Sequence, residues 1–182
     1  MLETEINPND LKWHSEIEAA QIVSNPNVIN WNDEADLVVI GLGGAGIAAA
    51  NEALDQGYSV IGIDKTSGGG ATARSGGIFY AGGGTPIQKE AGVEDSVENM
   101  FNYLIQETGD IVKDSTLKKF CETSAENTQW LMDNGVQFNS QYYQTKTSYP
   151  GAGYFLYHSD NSLVPSYMEK ASPAPRGHRG YE

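Results

Sequence analysis

Cysteine is nearly absent. Cys121 is the only one in 182 residues, which excludes an internal disulfide and a cysteine-based metal site. Beside Lys119 and Phe120 in a helical pattern, it reads as a core thiol. Histidine is also scarce: His14, His158 and His178 share no metal-ligand spacing. With the scattered carboxylates they form no hydrolytic triad and no paired-acid pattern. Positive charge is thin, with 11 Lys and Arg against 24 Asp and Glu, a net charge of −13. Such a chain repels phosphate backbones and carries no basic cluster to offset this, so no nucleic-acid partner is expected. No apolar run is long enough to form an integral membrane segment. The first ten residues hold Glu3, Glu5, Asn7, Asn9 and Asp10 where a secretory leader would need a basic start and an apolar core. A cytoplasmic location is therefore expected.

Glycine, by contrast, is abundant and unevenly placed. Of its 21 copies, eight fall in the nineteen residues from Ser67 to Thr85. Glycine loses backbone entropy on folding, so this density implies either a flexible linker or a backbone that approaches something closely. Ile78, Phe79 and Tyr80 interrupt the run, which argues against a linker.

Residues 1–34 read as a polar extension with one weak helical pattern, capped by Ser15 and lined by Ile17, Ala20 and Val23. Asn25-Pro26 breaks it. Leu37 to Ile40 is a short apolar run of the kind buried on both faces of a parallel sheet. Gly44 to Gln56 is Ala-rich and helical, with Gly57 placed to end it, and Val60 to Ile63 is a second apolar strand. Together they predict a βαβ unit. Thr85-Pro86 predicts a short helix reaching about Ala91. Asp95 and Glu98 have capping-box spacing for a helix with the stripe Val97, Phe101, Leu104 and Ile105, ended by Gly109. Asp114 or Ser115 opens a longer helix with the stripe Leu117, Phe120, Cys121, Ser124 and Leu131, with Trp130 beside it, ended by Gly135. Beyond Gly135 the pattern weakens into polar residues, Gly and tyrosines, and 172–182 reads as loop.

Gly41-Leu-Gly43-Gly44-Ala45-Gly46 matches G-x-G-x-x-G between a predicted strand and a predicted helix. In that context Gly41 allows the tight turn, Gly43 lets the backbone approach a pyrophosphate, and Gly46 lets the helix pack on the strand. The helix N-terminus then offers free N–H groups to phosphate. Asp64, at the end of the second strand, stands where a carboxylate accepts from ribose hydroxyls; the plainer reading is a loop cap. The first motif does not separate NAD from FAD, because both carry an ADP half. A second glycine-rich loop with the Thr72 and Ser75 hydroxyls, directly after Asp64, suggests the longer cofactor.

The stretch Gly69-Gly-Ala-Thr-Ala-Arg-Ser-Gly-Gly-Ile78 resembles the second flavin loop of the fumarate reductase/succinate dehydrogenase-type flavoproteins. Within that family, Tyr80 to Gly92, Glu98-Asn-Met and Ala174-Pro-Arg-Gly-His178 resemble the 3-ketosteroid dehydrogenases, the Δ4-(5α) type in particular. The similarity runs from about Trp31 to Arg179.

The resemblance implies an α/β fold: a partial Rossmann-type FAD-binding domain with added helices. Residues 35–182 would be its N-terminal part, with the remainder and the substrate domain beyond Glu182, so the chain reads as truncated. It implies FAD as cofactor, held at the pyrophosphate by Gly41, Gly43, Gly44, Ala45 and Gly46. Asp64 would take the ribose, in place of the family's usual Glu, and Lys65 the adenosine side. Gly69, Gly70, Ala71, Thr72, Ser75, Gly76 and Gly77 would line the pyrophosphate-to-flavin stretch, with Tyr80 near the flavin.

The implied activity of the intact protein is oxidation or reduction of a CH–CH bond beside a ketone, with hydride passing to or from flavin N5. The implied substrate is a 3-ketosteroid or a similar flat ketone. A fumarate reductase-like enzyme for a small dicarboxylate is the alternative, and an inactive FAD-binding fragment a third. No catalytic residue is assigned. The tyrosines from Tyr142 to Tyr157 read as packing or rim residues, and His178 as part of a solvent or cofactor-edge loop.

Overall fold

A computed structural model describes residues 22–181. The Ser15, Ile17 and Ala20 positions of the expected N-terminal helix lie outside them. Val23 is described and is not helical. Asn25-Pro26 starts a short 3-10 turn, Pro26–Val28, with the Asn25 side chain accepting from Asn27 N.

The βαβ unit forms as expected. Strand β1 (Leu37–Ile40) lies parallel to β2 (Val60–Ile63), with Leu37 opposite Val60 and Ile40 opposite Ile63. Helix α1 (Gly44–Asp55) joins them and ends before Gly57, whose amide bonds Leu54 O. A polar clamp fixes the start of the strand pair: Asp36 Oδ2 accepts from Ser59 N at 2.9 Å and from Ser59 Oγ at 2.6 Å. Burial on both faces is not observed. Only Val39 of β1 is buried, and Ile40 is 83% exposed, because β2 is the only strand paired with it among the described residues.

The core lies elsewhere. Helices α2 (Pro86–Glu90), α3 (Val97–Thr108), α4 (Asp114–Asp133) and α5 (Pro165–Met168) accompany a second sheet. Its strands are β3 (Ile78–Tyr80), β4 (Tyr142–Lys146), β5 (Leu156–His158) and β6 (Gly177–Arg179), in the order β3-β6-β5-β4. The β4–β5 pair is parallel and the other two pairs are antiparallel. The stretch beyond Gly135, where the sequence pattern weakens, thus supplies three strands, and β6 falls inside the 172–182 segment expected to be loop. They were not visible in sequence because two have only three residues and β6 is Gly-His-Arg, which has neither alternation nor β-branched residues.

Three expectations about the helices need correction. The cap of α3 is Ser96, whose hydroxyl accepts from Asn99 N at 3.0 Å; Asp95 is instead committed to Arg176 through two bonds of 2.9 Å. The buried face of α3 is Met100 and Tyr103, with Val97, Phe101, Leu104 and Ile105 only half-buried. Tyr103 sets this rotation: its ring lies 5.1 Å from the Arg176 guanidinium carbon, and its hydroxyl donates to Glu107 at 2.6 Å. On α4 the buried seam is Leu117, Cys121, Ser124 and Thr128, an i, i+4, i+7, i+11 spacing, while Phe120 is 41% exposed.

The capping box of α2 is complete. The Thr85 hydroxyl accepts from Gln88 N, and Gln88 Oε1 accepts from Thr85 N and Gly84 N. Such a cap contributes about 1 kcal/mol. Here it is also a fully buried junction, because Thr85 Oγ1 lies 2.9 Å from His178 Nε2. His178 Nδ1 lies 3.1 Å from Arg176 O, which can only accept. The ring proton is therefore on Nδ1, and Nε2 accepts from Thr85. Burial pulls the ring down to about pKa 4, so it stays neutral. His178 is thus an interior residue and not the expected loop-edge one.

Candidate functional site

The site is built from main chain. Gly41 leaves β1 at φ 92°, a conformation that favours glycine, and its amide donates to Ile63 O at 2.7 Å. Leu42 then acts as a tie bar: its N–H donates to Asp64 Oδ2 at 2.8 Å, and its carbonyl accepts from Gly69 N at 2.7 Å. One residue between two glycines therefore fixes both the end of β2 and the second glycine loop. This role was missed in sequence, since it uses no side-chain chemistry.

Gly43 is the N-cap residue of α1, and no side chain caps the helix. The first bond of α1 runs from Ile47 N to Gly43 O, so the N–H groups of Gly44, Ala45 and Gly46 precede the helical ladder. Gly46 is required by close approach, because a Cβ there would lie 1.9 Å from Gly41 O and 3.3 Å from Val39 Cγ1. The second loop packs against the first. A Cβ on Gly70 would lie 3.1 Å from Gly43 Cα, and one on Gly44 would lie 2.8 Å from Thr72 Oγ1.

Asp64 accepts from Leu42 N, and its Oδ1 accepts from Thr66 N at 2.7 Å and Thr66 Oγ1 at 2.8 Å. The Leu42 amide, then Thr66, hold its carboxyl below the usual carboxylate range. It is therefore an ionised acceptor at the end of β2, as well as the loop cap of the plainer reading.

Gly41, Asp64, Lys65, Gly70 and Ala71 come together in one cleft of about 790 Å³, with Thr66 and Arg74. Arg74 was not singled out from sequence, although it lies between named members of the second loop. Gly44, Thr72, Ser75 and Gly77 open on a second, more apolar cleft of about 730 Å³ with Phe79, Phe120, Trp130 and Phe138. The Ser75 hydroxyl is used locally, donating to Thr72 O at 2.8 Å and accepting from Gly77 N at 3.3 Å. Gly76 lies beside the Tyr149 ring. Tyr80 is not with the glycines: its hydroxyl donates to Asp160 Oδ2 at 2.8 Å, and it lines a small cavity with Tyr103, Glu107 and Asp160. Burial, then the Asp160 charge, push its phenol far above the ordinary value.

The tyrosines after Tyr142 are packing groups. Tyr142 OH lies 2.6 Å from His158 Nε2, the buried Tyr157 donates to Ser148 O, and Tyr143 meets Tyr154 edge to face.

The arrangement fits a dinucleotide. It offers helix-end amides without a side-chain cap, glycines whose replacement would fill the space between the loops, and an ionised carboxylate at the end of the second strand. Among the described residues no helix is long and apolar enough to cross a membrane.

The chain is 42% identical to 3-oxo-5-alpha-steroid 4-dehydrogenase of Comamonas testosteroni over 160 residues, which is 86% of this chain and 30% of that protein. It is 35% identical to NADH:fumarate oxidoreductase of Klebsiella pneumoniae (strain 342) over 106 residues, 57% of this chain and 11% of that one. The crystal structure of 3-ketosteroid-Δ4-(5α)-dehydrogenase from Rhodococcus jostii RHA1, in complex with 4-androstene-3,17-dione, superposes with a TM-score of 0.79 at 40% identity. That match covers 85% of this chain and 32% of the dehydrogenase. The chain thus spans about a third or less of the length of these relatives. The model of the FAD binding domain matches residues 36–164, and with the two glycine segments and Asp64 inside that span, the chain belongs to the FAD-binding domain family and its cofactor is FAD.

Proposed function

We propose that the protein carrying this chain is an FAD-dependent oxidoreductase acting on the CH–CH bond beside a ketone, with a 3-ketosteroid as substrate. Residues 35–182 serve as part of its cofactor-binding domain. The observation that carries this reading is the 42% identity to a steroid 4-dehydrogenase across 86% of the chain, joined to an interlocked glycine cradle. Gly41, Gly43, Gly44, Ala45 and Gly46 hold the pyrophosphate through main-chain N–H groups and the positive end of α1. Asp64 accepts from the ribose hydroxyls, and Lys65 flanks the adenosine. Gly69, Gly70, Ala71, Thr72, Ser75, Gly76 and Gly77 line the path toward the flavin. FAD, when bound, supplies hydride transfer at N5. The residues of this chain orient it, and none is assigned as acid or base.

A dicarboxylate substrate is the second reading, supported by the 35% identity to a fumarate oxidoreductase. It needs cations to grip carboxylates. Arg176 does not serve, being buried against Asp95. A cytoplasmic location goes with either reading.

The test is flavin absorbance of the purified intact protein, titrated anaerobically with 4-androstene-3,17-dione and its saturated 5α counterpart, and separately with fumarate after reduction. Spectral change with steroid and none with fumarate is the expected result. Reoxidation by fumarate alone selects the second reading, and protein without flavin or without response to either overturns both.

A further inference from the structure

Two cations line the cleft that holds Gly41 and Asp64: Lys65 and Arg74. They enter from different elements. Lys65 follows Asp64 directly at the end of β2. Arg74 closes the 3-10 turn Thr72–Arg74, whose first residue places its hydroxyl where a Gly44 side chain would begin. The turn that carries Arg74 is thereby packed on the first residue of α1, whereas Lys65 sits with the carboxylate. The turn is held by Ala73 N donating to Gly69 O at 3.0 Å and Arg74 N donating to Ala71 O at 3.1 Å, so the side chain departs from a fixed base.

Arg74 forms no ion pair among the described residues. The α1 N-terminus offers only about half a unit of positive charge, and its first turn, Gly44-Ala-Gly-Ile47, has no basic residue. The chain as a whole carries −13. A bound pyrophosphate would bring more negative charge than the helix end balances, into a strongly acidic protein.

We propose that Arg74 is the pyrophosphate counter-charge of this cleft and a determinant of dinucleotide affinity, an inference that rests on the FAD reading above. A guanidinium suits the task because its planar fork can meet two phosphate oxygens at once.

The test is calorimetric titration of the intact protein, freed of flavin, with FAD, ADP and adenosine, for the natural sequence, Arg74→Gln and Arg74→Lys, with far-UV spectra as a check of folding. Arg74→Gln is expected to weaken FAD and ADP about tenfold, roughly 1.4 kcal/mol, and to leave adenosine unchanged. The loss should shrink in about 1 M salt, where charges are screened within a few ångströms. Arg74→Lys should recover part of the affinity. If Arg74→Gln does not fold, Arg74→Ala decides in its place: unchanged ADP affinity overturns the proposal, and a severalfold loss that spares adenosine supports it. Natural-sequence affinity in a folded Arg74→Gln, or an equal loss for adenosine, also overturns it. Intact natural-sequence protein that binds none of the three ligands would overturn the FAD reading itself.

Discussion

Replacing Asp95 by Ala should be among the most destabilising substitutions in the molecule. Its carboxylate accepts from Arg176 Nε and a terminal Arg176 nitrogen, both at 2.9 Å, from Asn99 Nδ2 at 2.7 Å, from Gly83 N at 3.1 Å and from Gln88 Nε2 at 3.2 Å. Both side chains of the ion pair are 0% exposed. Asp95→Ala would leave the guanidinium buried with only Asp160, 3.8 Å away, to offset it. Stranding a buried charge in this way costs about 3–5 kcal/mol, a large share of the ~5–15 kcal/mol available to a domain. At a urea slope of about 2 kcal/mol per M, the unfolding midpoint followed by tryptophan fluorescence should fall by roughly 2 M. The double variant Asp95→Leu/Arg176→Met removes both charges and should lose much less than Asp95→Ala alone. Burial alone would raise the Asp95 pKa, but the Arg176 hydrogen bonds and charge prevail and hold it below the ordinary range. Its stabilisation is therefore full above the unfolded value near 3.9 and lost as pH falls through the folded value. An Asp95→Ala midpoint within about 0.5 M of the natural sequence, on the same slope, would refute the reasoning.

Gly46→Ala should abolish FAD binding and destabilise the chain by about 1–3 kcal/mol, since its Cβ would lie 1.9 Å from Gly41 O; a flavin titration alongside a thermal melt checks both effects. His178 is neutral when folded, with its pKa lowered by burial to about 4. Its contribution should be complete above about pH 6.5, the unfolded value, and fall away between there and pH 4. The expected loss over that window is about 3 kcal/mol, and His178→Gln should flatten the profile of stability against pH in the same window.

The βαβ unit was legible because its signals are local: a strand of four apolar residues, a glycine turn, an Ala-rich helix and a second strand. Gly46 could be assigned a packing role from position alone, and its clearance to Gly41 O bears this out. What was not legible depends on partners far along the chain. Asp95 looked like a helix cap because nothing nearby reveals Arg176, 81 residues away. His178 looked like loop because its partner Thr85 lies 93 residues back. Ser172 to His178, rich in Pro and Gly, carries no periodicity, yet Ala174, Arg176 and His178 are fully buried. Within the cradle, the glycines and Asp64 announced themselves by spacing. Leu42 did not, because its work is done by its N–H and C=O, which every non-proline residue possesses.

The pairing of β3 has a consequence for the order of events during synthesis. This strand continues directly from Gly77, and among the described strands its only neighbour is β6, with Ile78 opposite Arg179. The far end of the glycine cradle is thus moored to a strand that the ribosome makes long after the cradle itself. Contacts of such long sequence separation form slowly, because the loop must close before they are gained. The β1–α1–β2 half can take shape early in translation, but the second loop acquires its anchor only after β6 has emerged. Cofactor loading on a nascent chain therefore belongs after that point, and a ribosome stalled between β2 and β6 should present a polypeptide that does not retain flavin.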